Sequence, residues 1–163
     1  MYVGDRGIRF RARTLYSQII PQANLTEEEA DTVRKNIQHN ICELAIEHPN
    51  TTFYLFFPPH SILYYDTVIR RGDFSKMLAC EEIVIEELLK YENIKLYSMA
   101  NETSVICNLD NYIDQKHYSG SINSWILESM AQDHYLLTPD NYSQYLKIRS
   151  EYFSNYKYDA IYQ

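Results

Sequence analysis

Asp114 and His117 stand three residues apart in the segment Leu109-Asp110-Asn111-Tyr112-Ile113-Asp114-Gln115-Lys116-His117-Tyr118-Ser119, just ahead of a predicted helix. An Asp-x-x-His turn can aim a carboxylate at one imidazole nitrogen and leave the other free to take a proton. That is the base half of a Ser-His-Asp site. The same spacing also fits a solvated loop aspartate beside a histidine that bonds locally. His60, after Pro58-Pro59, can face a substrate groove or be a turn histidine without a role. His39, His48 and His134 have no ligand spacing. Glu81-Glu82 and Glu86-Glu87 read as a solvated helix face, since no histidine sits at helical spacing to make a metal site.

The elements that must position these residues follow from periodicity. Thr26 is an N-cap with Glu29 three residues on, the signature of a capping box. Ala30, Val33, Ile37, Ile41 and Leu44 then draw one apolar stripe, which Pro49 ends. Residues 52–57 are short and aromatic, and predict a strand apolar on both faces, as inside a parallel sheet. A short helix from Ser61, its N-cap, runs to Arg71 and stops at Gly72. Asp73 caps the next, which runs to about Tyr91 with Met77, Cys80, Val84 and Leu88 on one face. Residues 94–99 form a second strand. A loop through Asn101-Glu102-Thr103 leads to Tyr118, and Ile122, Trp125, Ile126 and Met130 mark a helix. Thr138-Pro139 opens a last helix that presents Tyr142, Tyr145, Leu146, Tyr152 and Phe153.

This alternation predicts an α/β fold: part of a doubly wound, flavodoxin-like parallel sheet with flanking helices and few strands. Two strands cannot cover their own edges, so the sheet is the C-terminal part of a larger one or pairs with another chain. Residues 1–24 read as an N-terminal arm or the remnant of an upstream region, and 25–163 as the domain. In such sheets ligands bind beyond the carboxyl ends of the strands, where the loop of Asp114 and His117 falls.

At these residues a resemblance emerges. Asp114-Gln115-Lys116-His117-Tyr118-Ser119, with Ile122-Asn123, resembles the last conserved block of the SGNH (GDSL-like) hydrolases. More narrowly, it resembles the branch of envelope-polymer O-acetyltransferases and lipoteichoic-acid D-alanylation proteins. The strand running into Phe57-Pro58-Pro59-His60-Ser61 is similar to a segment of those proteins, and the resemblance covers about residues 50 to 130. It implies an SGNH-type esterase or O-acyltransferase acting on a cell-envelope glycan. Asp114 would orient the imidazole and His117 would deprotonate a serine. Tyr118 packs beside the site rather than reacts, and with His60 it stands on the substrate side. The resemblance further implies a glycan or acyl-ester substrate, a missing N-terminal half or a membrane acyltransferase as partner, and an extracytoplasmic, membrane-associated parent.

The family's nucleophile lies in a Gly-Asp-Ser block upstream of the histidine. Here Val3-Gly4-Asp5-Arg6 has arginine in its place, and Ser61, Ser98 and Ser104 stand in the wrong order. The chain alone is therefore expected to be inactive. The alternative is a non-catalytic module binding a glycan or a partner.

Composition sets the remaining bounds. A length of 163 residues suits one domain with a real core. A net charge of -7 speaks against a nucleic-acid surface. The arginines at 6, 9, 11 and 13 read as a basic arm, with a phosphate-binding patch as the alternative. No apolar run reaches membrane-span length, and no signal-peptide core follows the arginines. Three dispersed cysteines give neither a disulfide framework nor a zinc signature, with Cys42 and Cys80 expected as buried thiols. Four glycines leave no phosphate-cradling loop, and with no ligand spacing among the histidines and cysteines neither metal nor cofactor is expected. Sixteen tyrosines suit half-buried surfaces and carbohydrate-facing grooves, or are compositional drift.

Overall fold

Thr26 and Glu29 start the first helix as their types require. In the computed structural model, which describes residues 19–162, the Glu29 backbone N–H donates to Thr26 Oγ1 at 3.3 Å and the Thr26 N–H donates to Glu29 Oε2 at 3.0 Å. Helix α1 (Glu27–Ile37) continues through a π-helical turn (Gln38–Cys42) into α2 (Glu43–Glu47). The π turn holds one residue more than an α turn and advances the buried stripe by one position. Cys42 and Ala45 are buried, while Leu44, expected inside, is 44% exposed.

Glu29 also ties α1 to the rest of the fold. Lys76 Nζ donates to Glu29 Oε1 at 2.7 Å. The lysine, then the Thr26 backbone and hydroxyl, hold the Glu29 carboxyl down from 4.5 to about 2. A carboxyl lowered on folding stabilises the fold above its unfolded pKa, and that contribution fades as pH falls through the folded value. Glu29→Gln is therefore expected to flatten the acid-unfolding curve between about pH 4.5 and 2. Circular dichroism through an acid titration reads this, and an unchanged slope would remove Glu29 from the account.

Strands β1 (Phe53–Phe57) and β2 (Ile94–Ser98) pair in parallel, with Phe53 opposite Ile94 and Phe57 opposite Ser98. Between them run α3 (Ile62–Arg70) and α4 (Phe74–Leu88). After β2 come a short α5 (Thr103–Ile106), a 3-10 turn (Leu109–Asn111), α6 (Gly120–Ala131), α7 (Tyr142–Asn155) and a closing 3-10 turn (Tyr158–Tyr162). The chain is thus mixed α/β around a small parallel sheet. Among the described residues no helix is long and apolar enough to cross a membrane.

The sheet is covered unevenly. On one face Phe53, Leu55 and Phe57 pack on Cys42, Ala45, Ile85 and Leu88. On the other, Tyr97 and Met99 lie under Ile122, Ile126 and Met130 of α6. That cover stops short of β1, where Tyr54 is 53% and Phe56 39% exposed. The expectation of a strand buried on both faces is corrected accordingly: β2 fits it, while β1 alternates. The outer edge of β2 is closed by Ser98 N–H donating to the Tyr135 carbonyl and Leu137 N–H to that of Leu96. Phe53 N–H donates to Asn93 and Met99 N–H to the Phe57 carbonyl, which fixes the ladder's parity. The peptide groups of Tyr54 and Phe56 therefore face away from β2, toward an edge the described residues do not pair.

A third core joins Leu63, Tyr65 and Val68 of α3 to Phe74, Ile106, Phe153 and Ile161. Residues 19–24 lie against its corner: Ile20 N–H donates to the Arg70 carbonyl, and Ala23 N–H to that of Gly72. The caps of α4 and α7 differ from expectation. Asp73 pairs with Arg71 at 3.0 Å, and it is Gln22 Oε1 that accepts from Phe74 N–H at 2.9 Å and Ser75 N–H at 3.2 Å. Arg71 draws the Asp73 carboxylate off the cap, and a remote amide replaces it. Thr138-Pro139 opens a turn rather than α7: Asn141 Oδ1 accepts from Thr138 N–H, and Asn141 is the N-cap residue. The basic arm's arginines and the Val3–Arg6 stretch lie outside the described residues.

Candidate functional site

The Asp114–His117 turn is built by its own backbone. Tyr112 and Tyr118 form an antiparallel bridge, Ile113 N–H donates to the His117 carbonyl at 2.8 Å, and Ser119 N–H to that of Asn111. Inside this loop Asp114 Oδ1 accepts the backbone N–H groups of Lys116 and His117, each at 2.8 Å. Its second oxygen, Oδ2, meets His117 Nδ1 at 2.6 Å. A carboxylate only accepts, so Nδ1 carries the hydrogen, and in the neutral ring Nε2 keeps its lone pair. The His117 side chain is 77% exposed, so Nε2 is open to a partner. Partial burial raises the Asp114 carboxyl, but the N–H groups of His117 and Lys116 and the imidazole outweigh it, and the net shift is downward. Asp114 is therefore ionised at neutral pH.

The loop is seated on the segment that leaves β1. The buried Tyr112 hydroxyl donates to the Pro59 carbonyl at 2.6 Å. Ser61 donates to the Gln115 carbonyl with both its N–H, at 3.1 Å, and its Oγ, at 2.8 Å. Thr67 Oγ1 lies 3.2 Å from Gln115 Oε1, and Lys116 Nζ sits 5.2 Å over the Tyr64 ring. The Pro58-Pro59-His60-Ser61 segment and the Asp114–His117 turn thus meet at the carboxyl end of β1. Ser61 occupies the N-cap position of α3 but makes no capping bond with its side chain, because the hydroxyl is spent on Gln115.

His60 packs on Tyr64, ring centroids 4.5 Å apart, with its Nδ1 buried and lacking a hydrogen-bond partner. Burial pulls its pKa down, with the Lys116 backbone opposing. Tyr118 is half-buried against the core formed by Tyr97, Met99 and α6, a packing role. Among the described residues no hydroxyl is hydrogen-bonded to the His117 ring. Ser98 and Ser104 bond elsewhere, to Tyr145 and Glu102. His39 pairs with Glu43 on the surface.

A second polar group stands behind β2, and sequence reasoning missed it. Arg149 of α7, 4% exposed, donates to the Ala100 carbonyl at 3.0 Å and to the Tyr65 hydroxyl at 3.1 Å. Its Nε faces Glu81 Oε2 at 3.0 Å as an ion pair, without the alignment of a hydrogen bond. Glu81 Oε1 accepts from the Tyr145 hydroxyl at 2.5 Å, which contacts Ser98 Oγ at 2.6 Å. Glu81 is therefore not part of a solvated acidic face; burial with Arg149 separates it from the exposed Glu82 and Glu86. Burial raises the Tyr145 hydroxyl far above its usual range, with Arg149 opposing and Glu81 adding to it. The signal was available: Arg149 falls among Tyr145, Leu146, Tyr152 and Phe153 on the apolar stripe of α7, and Glu81 follows Met77 on that of α4. Opposite charges on two facing stripes point to a buried pair.

Cys42 is fully buried and burial raises its thiol, while Cys80 is only half-buried. No family description, curated protein or solved structure matches this chain.

Proposed function

We propose that the chain is the C-terminal portion of an SGNH-type acyl esterase or O-acyltransferase, with a flavodoxin-like sheet completed outside the described residues. The observation that carries this is the 2.6 Å contact of His117 Nδ1 with an Asp114 carboxylate already fixed by two backbone N–H groups. A tautomer-fixed, exposed imidazole beyond the carboxyl end of a parallel strand is what a general base requires. In this reading His117 Nε2 takes the proton of a serine hydroxyl as its oxygen attacks the acyl carbonyl. The tetrahedral intermediate collapses, and His117 returns the proton to the departing alkoxide. A glycan hydroxyl or water, deprotonated in turn by His117, then takes the acyl group from serine. The serine and the oxyanion donors come from outside the described residues. The acceptor is a cell-envelope glycan, the parent is extracytoplasmic and membrane-associated, a membrane acyltransferase is the natural donor partner, and no nucleic acid takes part.

The test is to trap the intermediate. Full-length protein is mixed with p-nitrophenyl acetate, quenched in acid, digested and analysed by mass spectrometry. A burst of nitrophenol with one acetylated serine is expected. The alternative, a non-catalytic glycan- or partner-binding module, has the exposed aromatics Tyr54 and Phe56 in its favour. Saturable glycan binding with neither burst nor acetyl-serine would establish it.

A further inference from the structure

Beyond the end of β1 lies a cavity of about 250 Å³ between α3, α4 and α7. Its wall is mostly apolar: Phe57, Pro58, Tyr64, Met77, Cys80 and Val84. Two charged side chains, Glu81 and Arg149, reach it as well. They neutralise each other, and the guanidinium is committed to Ala100, Tyr65 and Glu81. Among the described residues no free cation lines it for a carboxylate or phosphate. His60 completes the wall, and Tyr64, also part of it, lies under Lys116 of the Asp114–His117 loop. The space is therefore mostly apolar, its two charges paired, and it adjoins the loop that carries the proposed base.

We infer that this cavity is a binding site for the hydrocarbon chain of a neutral acyl ester, which makes it the acyl-chain subsite of the proposed reaction. The inference rests on that reading for its role but not for its occupancy. An apolar cavity of about 150 Å³ admits benzene, so this one accommodates a chain of up to roughly ten carbons. Each methylene buried tightens binding by roughly fourfold until the space is full. The polarizable Met77 suits an irregular, flexible guest.

The experiment uses the full chain labelled at the methionine methyls and followed by NMR. The probes are 2-hexanone and 2-octanone as neutral ester analogues, and octanoate as the anionic control. Saturable shifts of the Met77 methyl are expected with both ketones, tighter for the longer. Octanoate should bind at least tenfold more weakly than 2-octanone. Cys80→Leu and Val84→Met, two modest fillings whose folding circular dichroism verifies, should each weaken 2-octanone severalfold. Tighter binding of octanoate, no saturation of Met77, or indifference to both filled variants would overturn the inference. Ketone binding without acyl-enzyme formation would leave the cavity site standing and remove the proposed catalysis instead.

Discussion

His117→Ala in the full-length protein is expected to cut the turnover of p-nitrophenyl acetate by roughly 10,000-fold or more, as losing the base of a hydroxyl nucleophile does elsewhere. The fold should survive, because the side chain is exposed and its ring bonds within its own turn, to Asp114. Asp114→Asn tests the same dyad more finely. The amide can still accept the Lys116 and His117 N–H groups, but it can also donate to Nδ1, which stabilises the wrong tautomer. A loss of about 10,000-fold in kcat with little change in KM is expected. Stopped-flow release of nitrophenol reads both. A His117→Ala variant that keeps a tenth of the wild-type rate would show that another group is the base.

Arg149→Ala is expected to destabilise the fold by about 3–5 kcal/mol, since it leaves Glu81 as an uncompensated charge in the interior. The site is nearly closed: the two side chains are 5% and 6% exposed. The Tyr65 hydroxyl and the Ala100 carbonyl lose a partner as well. Replacing both charges, Arg149→Met with Glu81→Met, should recover most of that loss, because the pair's attraction only offsets its own desolvation. Urea midpoints of the single and double variants measure it. A single variant less than about 1 kcal/mol below wild type would mean that water reaches Glu81.

The pair explains where sequence reasoning succeeded and failed. Local signals translated directly. The capping box at Thr26 and Glu29, the Gly72 stop and the Asp114–His117 spacing each depend on residues a few positions apart, and each stands in the structure. What failed was set by partners distant in sequence. Gln22 caps α4 across a gap of 52 residues to Phe74, and Glu81 is buried because Arg149 faces it. Leu44 was misplaced for a local reason of another kind: the period of 3.6 assumed by the stripe is interrupted by a π turn that no residue type announces. The two faces of β1 depend on which helices cover them, and α6 reaches only β2.

The site was legible to the same degree. The dyad lay within one turn of chain and could be read. Its seat, Ser61 with Tyr112 bonded to Pro59, is made by contacts over more than fifty residues, which spacing cannot show. The nearness of the two segments singled out by resemblance is a finding of the fold. The cavity beside His60 needed α3, α4 and α7 together.

Asp114 is expected to fix the neutral His117 ring as the tautomer protonated on Nδ1 and free on Nε2. Long-range proton–nitrogen NMR correlation on the histidine-labelled chain, at a pH where the ring is neutral, reads the tautomer directly. The Nδ1–H form is expected in wild type, with its partial loss in Asp114→Asn. A wild-type ring protonated on Nε2, or a tautomer balance that ignores the Asp114 substitution, would contradict it.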